Sequence, residues 1–280
     1  MLMTFTQPSP DLKALRPDLP TMYDLPSEFP EEPGLPDIYH DLQPEFLSDT
    51  LRLQNYPLNQ YFTGSDLNVY YDPDNPLWHK RPDWFLAVGV SSLYQDRDMR
   101  LSYVAWQEAA NPLVVVELIS PGTEDEDFGR TVAKPGGPPT KWTVYEQILQ
   151  VPYYIVFNRY VNQLCIFKRV SGQYQEQVLP DNRLWIPELD LGLGLWYGTY
   201  KADTHQEMER LWLRWYEPDG RWSLTNAERV GQRAEAERQR AEAERQRAEA
   251  ERQRANTAEA ELEALKERLR NQGIDPESFL

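Results

Sequence analysis

The chain has 280 residues, 40% hydrophobic and 12% aromatic, enough for one sizeable core plus an extension. Its net charge of −16 opposes unaided electrostatic binding to nucleic acid, so a nucleic-acid reading needs a local basic groove or a bound divalent cation. The single cysteine, Cys165, excludes an intramolecular disulfide and cysteine-based zinc sites, and no apolar run approaches the 18 residues of a membrane-spanning helix.

Residues 1–40 carry eight prolines among acidic residues, and repeated proline favours extended backbone. This segment is expected to form an arm on the domain. It lacks the basic-then-apolar pattern of a secretory signal, and the cytoplasm is the expected location. Weak helical spacing follows over 41–55 at Leu42, Phe46 and Leu53. Residues 66–71 read as a strand closed by the turn Asp72-Pro73-Asp74-Asn75-Pro76. Residues 80–90 read as a second apolar strand entered through Pro82-Asp83, proline being tolerated at a strand's first residue. Asp83 is then either a carboxylate at the mouth of a buried strand or a turn aspartate paired with Arg81. Residues 91–110 form an excursion ending in a further possible strand at 103–106.

The run Leu113-Val114-Val115-Val116 leads into Glu117 and is broken by Ser120-Pro121-Gly122. It spares neither face a polar residue, the pattern of a strand buried on both sides. A carboxylate at its end must meet a cation, a donor or a metal unless it emerges into solvent. A loop over 122–139 holds Glu124, Asp125, Glu126 and Asp127, of which Asp127 is read as a loop or cap residue. Thr140 then caps a helix whose apolar face is Trp142, Tyr145 and Leu149, and residues 151–157 make the next strand. Strand, loop, helix and strand at this spacing form a βαβ-like unit.

Beyond Leu164 short aromatic and aliphatic segments alternate with turns and read as hairpins extending the same sheet antiparallel, with Trp212 and Trp215 packing from a late strand. The fold class is therefore α/β: a central mixed sheet flanked by helices, an antiparallel hairpin extension and a long C-terminal helix. Aromatic residues cease after Trp222 apart from Phe279, and Ala-Glu-Ala-Glu-Arg-Gln-Arg repeats three times over 234–254. Opposite charges at i,i+3 and i,i+4 support a solvated helix over 226–272, with self-association most credible from Ala258 to Leu269. Residues 41–225 are the expected globular domain, and 273–280 a short end. Residues 1–225 hold 18 basic against 32 acidic side chains, so the tail does not account for the acidity.

Asp83 and Glu117 gain meaning together. Two buried strands each bring one carboxylate, and two carboxylates with water suit Mg²⁺, a hard cation that keeps several waters. A metal so held activates water and stabilises charge on a phosphate oxygen, and a nearby lysine assists. His40, His79 and His205 show no metal spacing, Gly136-Gly137 lacks the continuation of a phosphate loop, and Ser120 lacks a nucleophile elbow.

Pro82-Asp83, Val-Val-Val-Glu117-Leu-Ile-Ser-Pro, the acidic loop with Asp127, Lys141-x-x-x-Tyr145 and Val-Pro-Tyr-Tyr-Ile-Val-Phe, in that order, resemble the Uma-type restriction-endonuclease family of the PD-(D/E)XK nuclease superfamily, over roughly 40–225. The resemblance implies a restriction-endonuclease-like core, Mg²⁺-dependent cleavage of DNA phosphodiester bonds (Mn²⁺ substituting) and often a homodimer. It implies Asp83 and Glu117 as metal ligands, with the carbonyl of Leu118 as a third. The superfamily lysine is expected two residues after Glu117, where Ile119 stands. In the Uma-type branch it moves to the following helix, which points to Lys141, with Lys134 as competitor. The acidic core and displaced lysine leave a second reading: a decayed nuclease domain that serves as an interaction or assembly protein through its helical tail.

Overall fold

The computed structural model describes residues 19–21, 24–25, 38–120, 123–200 and 208–273. Nearly all of the proline-rich arm lies outside them, as does His205. The chain forms two compact units, Met1–Ser223 and Leu224–Leu280.

In the first unit, helix α1 (Ile38–Thr50) begins three residues before its expected start, because Tyr39 belongs to the same buried face as Leu42, Phe46 and Leu47. Strands β1 (Tyr61–Ser65), β2 (Val69–Tyr70), β3 (His79–Lys80), β4 (Trp84–Val88) and β5 (Tyr103–Val104) follow. The central strand β6 (Val114–Leu118) is buried at every residue. Two short helices, α2 (Glu124–Asp127) and α3 (Lys141–Thr143), lead to β7 (Tyr153–Asn158), β8 (Gln163–Val170) and β9 (Gln173–Glu176). Strands β10 (Arg183–Ile186), β11 (Leu191–Tyr200) and β12 (Met208–Tyr216) complete the unit.

The main sheet runs β1-β4-β6-β7-β8-β9. Only β6 and β7 pair parallel, across the expected βαβ-like crossover, so the sheet is mixed. Both of its faces are covered. Val114, Val116 and Leu118 join a core with α1 and with Trp212, Leu213 and Trp215 of β12. Val115 and Ile119 join a second core with Tyr145, Tyr154 and Cys165. This two-sided burial is why β6 shows no polar alternation, Glu117 being its one charged residue.

The hairpin region departs from expectation in one respect. Strands β8 and β9 extend the main sheet, but β10-β11-β12 form a separate antiparallel sheet. The polar strand β9, with Gln173, Gln175 and Glu176 exposed, closes the first sheet as an edge. The apolar run of β11 packs instead into the core beneath α1. Gly192 permits this sheet to close, since a Cβ there would fall inside the ring of Tyr216. Gln43, fully buried, joins α1 to β12 by accepting from Leu213 N–H (2.8 Å) and donating to Leu213 O (3.0 Å). Such double use satisfies a buried amide that would otherwise be costly.

The second unit is helix α4 (Asn226–Asn271), opened by a capping box in which Thr225 and Glu228 bond each other's backbone N–H. Gln239–Glu235 and Gln246–Glu242 bonds at i,i+4 line it (3.0 and 3.2 Å). None of its residues is buried, and it ends before Gly273, whose φ is 75°. Among the described residues no helix is long and apolar enough to cross a membrane.

Candidate active site

The register of β4 against β6 pairs Trp84 with Val116, Phe85 with Val115 and Leu86 with Val114. One step further sets Asp83 across from Glu117. Alternation puts Asp83 on the face of Phe85 and Glu117 on that of Val115, both in the second core. Asp83 Oδ2 accepts from Leu118 N–H at 2.5 Å. Arg81 does not pair with Asp83: its guanidinium binds Asp66 at 2.6 Å. The turn-aspartate alternative therefore belongs to Asp66.

Glu117 is 1% exposed and meets neither solvent nor arginine. Lys141 Nζ donates to its Oε2 at 3.1 Å, and Tyr145 OH to its Oε1 at 2.8 Å. Lys141 and Tyr145 stand one turn apart on a helix that Thr140 caps by accepting from Thr143 N–H. After Thr143 the α-helix passes into a π-helical turn, Val144–Ile148. Lys134, the competing lysine, lies exposed in the preceding loop.

The structure adds Asp127. This residue ends α2 with its side chain 1% exposed, and it receives a second bond from Lys141 Nζ at 2.8 Å. Tyr154 OH donates to its backbone carbonyl at 2.9 Å. Gly129, at φ 68°, leaves α2 in a conformation where a Cβ would strike the Trp142 indole, so α2 and α3 close on each other. Reading Asp127 as a mere loop or cap residue understates it. Four successive acids do not reveal which is buried; Phe128-Gly129, an apolar residue and a turn glycine just after Asp127, is the one signal that marks its end of the run. His40 was also missed: it is 2% exposed, and its Nε2 lies 3.0 Å from the carbonyl oxygen of Leu118.

Two buried carboxylates, Glu117 and Asp127, thus share one ammonium, and its charge also acts on Asp83. Burial pushes the Glu117 carboxyl up to about 8; Lys141 opposes the rise, Asp127 and Asp83 add to it, and the Tyr145 bond opposes it. Burial likewise pushes Asp83 up to about 6, against the Leu118 N–H, Lys141 and His40. Burial works against the Lys141 ammonium, but Glu117 and Asp127 hold its proton more tightly than usual. The Tyr145 phenol is raised, by burial and then by Glu117.

With every carboxylate ionised the cluster carries two negative charges more than Lys141 cancels. That excess, and an all-oxygen donor set of Asp83, Glu117 and the Leu118 carbonyl, fits a hard divalent cation that keeps most of its water. It does not fit a metal held by side chains alone. Among the described residues no group of three or more His, Cys, Asp or Glu is arranged to hold a metal ion.

A family model described as "Uma2: Putative restriction endonuclease" matches residues 15–202. The fold is similar to that of a solved structure from Anabaena variabilis described as "a putative nuclease belonging to DUF820", at 10% identity and a TM-score of 0.40, over 60% of this chain and 90% of that one. No curated protein matches the chain.

Proposed function

The chain belongs to the Uma2 family, and on that premise we propose that it is a nuclease hydrolysing DNA phosphodiester bonds with a divalent cation. The observation that carries this reading is the contact of Lys141 with Glu117 at the mouth of β6, opposite Asp83. Mg²⁺, or Mn²⁺ in its place, would rest on Asp83, Glu117 and the Leu118 carbonyl, and would supply Lewis-acid charge and an activated water.

The remaining chemistry belongs to the chain's own groups. An ammonium has three N–H donors. Lys141 commits two of them to Glu117 and Asp127, and its side chain is 17% exposed. The third is free to donate to an attacking water or to a phosphoryl oxygen, where developing negative charge strengthens the bond. Tyr145 holds Glu117 from the buried side and fixes its rotamer. Because the chain is acidic, attraction to the phosphodiester depends on the cation and on this lysine rather than on net charge.

Plasmid nicking by the full chain with Mn²⁺ tests the reading. Glu117→Gln and Asp83→Asn are expected to abolish it while leaving the circular dichroism spectrum unchanged. Equal nicking by wild type and variants refutes the assignment.

A second reading has its own observation. Both oxygens of Glu117 are already engaged, and the described residues hold no three-side-chain metal group. In that reading the domain is a decayed nuclease, and α4 docks a partner or a second copy. Calorimetry separates the two, since a decayed site takes up no Mn²⁺.

A further inference from the structure

We infer that Asp127 is the positioning residue for Lys141: it fixes the ammonium from α2 rather than from β6, so that Glu117 can be given to a cation without the lysine following it. The consequence for catalysis rests on the nuclease reading above; the anchoring itself does not.

Lys141 Nζ lies 2.8 Å from Asp127 Oδ1 and 3.1 Å from Glu117 Oε2, both carboxylates being out of solvent. The two anchors differ in what holds them. Glu117 sits on the strand opposite Asp83, in the proposed ligand set. Asp127 sits on α2, whose position has three supports independent of Glu117. Its carbonyl is bonded by Tyr154 OH (2.9 Å), Glu126 beside it is paired with Lys80 of β3 (3.2 Å), and Gly129 lies against Trp142. A buried ammonium needs a counter-charge. If Glu117 were its sole partner, the lysine would neutralise the carboxylate that a cation needs and would compete with that cation for it. With Asp127 in place, the counter-charge survives when Glu117 is withdrawn.

The test reads Lys141 itself. The full chain, free of metal, is acetylated at a fixed pH, and the rate at Lys141 is measured by peptide mass spectrometry against exposed Lys134. Asp127→Asn is expected to raise that rate tenfold or more, and Glu117→Gln to change it less than threefold. The opposite ranking, or no change in Asp127→Asn, overturns the inference. Should Asp127→Asn fail to fold, Glu117→Gln decides alone, because tenfold deprotection there means that Glu117 was the anchor.

A second measurement takes Mn²⁺ affinity by calorimetry. Asp127→Asn is expected to weaken binding at least fivefold in the wild-type background and by less than twofold when Lys141→Met is already present. Equal weakening in both backgrounds means that Asp127 acts on the cation directly, and overturns the positioning role. A wild-type chain that neither binds Mn²⁺ nor nicks DNA sinks the nuclease reading, while the acetylation result still decides whether Asp127 holds Lys141.

Discussion

Glu117 allows the site to be probed without substrate or metal, through the pH dependence of folding. Its carboxyl is pushed up to about 8 in the folded chain, by burial and by Asp127 and Asp83, against the opposing pull of Lys141 and Tyr145. In the unfolded chain it returns to about 4.3. Between these values the native state holds more protons than the unfolded state, so stability falls as pH rises. The contribution is fully present below about pH 4 and is lost once pH has passed through about 8. At about 1.4 kcal/mol per unit the interval amounts to about 5 kcal/mol as a ceiling. Glu117→Gln removes the titrating proton and keeps the shape. Urea unfolding of chelator-treated protein at pH 5, 7 and 9 should show the wild type losing stability across the range. The variant should lose several kcal/mol less, with the gap widest at pH 9. A wild-type stability that is flat or rises between pH 5 and 9, or an equal slope in the variant, would refute the account of the buried carboxylate cluster.

Tyr145→Phe removes the hydroxyl bonded to Glu117 Oε1 and should cost about 1–3 kcal/mol, the range for leaving a buried polar atom unsatisfied, read as a lower urea midpoint. Gly192→Ala places a methyl inside the Tyr216 ring and should cost about 1–3 kcal/mol by overpacking, seen as a lower melting temperature with nicking per folded molecule retained. Arg100 and Glu108 form a two-bond ion pair (2.8 and 2.9 Å) with side chains 1% and 8% exposed. Glu108→Ala leaves that guanidinium buried and unpaired, and should cost about 3–5 kcal/mol in equilibrium unfolding.

The parts of the fold legible in the sequence are those set by one local pattern. The run Leu113 to Leu118 announced the central strand because a strand covered on both faces has no polar alternation to show. Thr140 announced α3 because capping is a property of adjacent residues. Lys141 and Tyr145 were placed together because helical spacing puts them on one side, and both reach Glu117. What escaped depends on distant partners. β1 pairs with β4 through Gly64, where a Cβ would collide with Phe85, and Thr63-Gly64-Ser65 carries no strand signal. The separate sheet of β10 to β12 depends on which face of the main sheet its apolar residues find, a choice no local period encodes. Asp127 was hidden among four acids, and His40, at the end of the expected proline-rich arm, has no metal spacing to mark it until α1 is packed beside Leu118.

The central claim is that Asp83, Glu117 and Lys141 form one hydrolytic site. Its most direct test is Mn²⁺-supported nicking of supercoiled plasmid by the purified full chain beside Glu117→Gln, with metal affinity measured on the same preparations. The account predicts that the wild type binds Mn²⁺ and nicks, and that the folded variant loses nicking with at least a tenfold loss of affinity. A wild type that does neither, or a variant that nicks as fast as its parent, contradicts it.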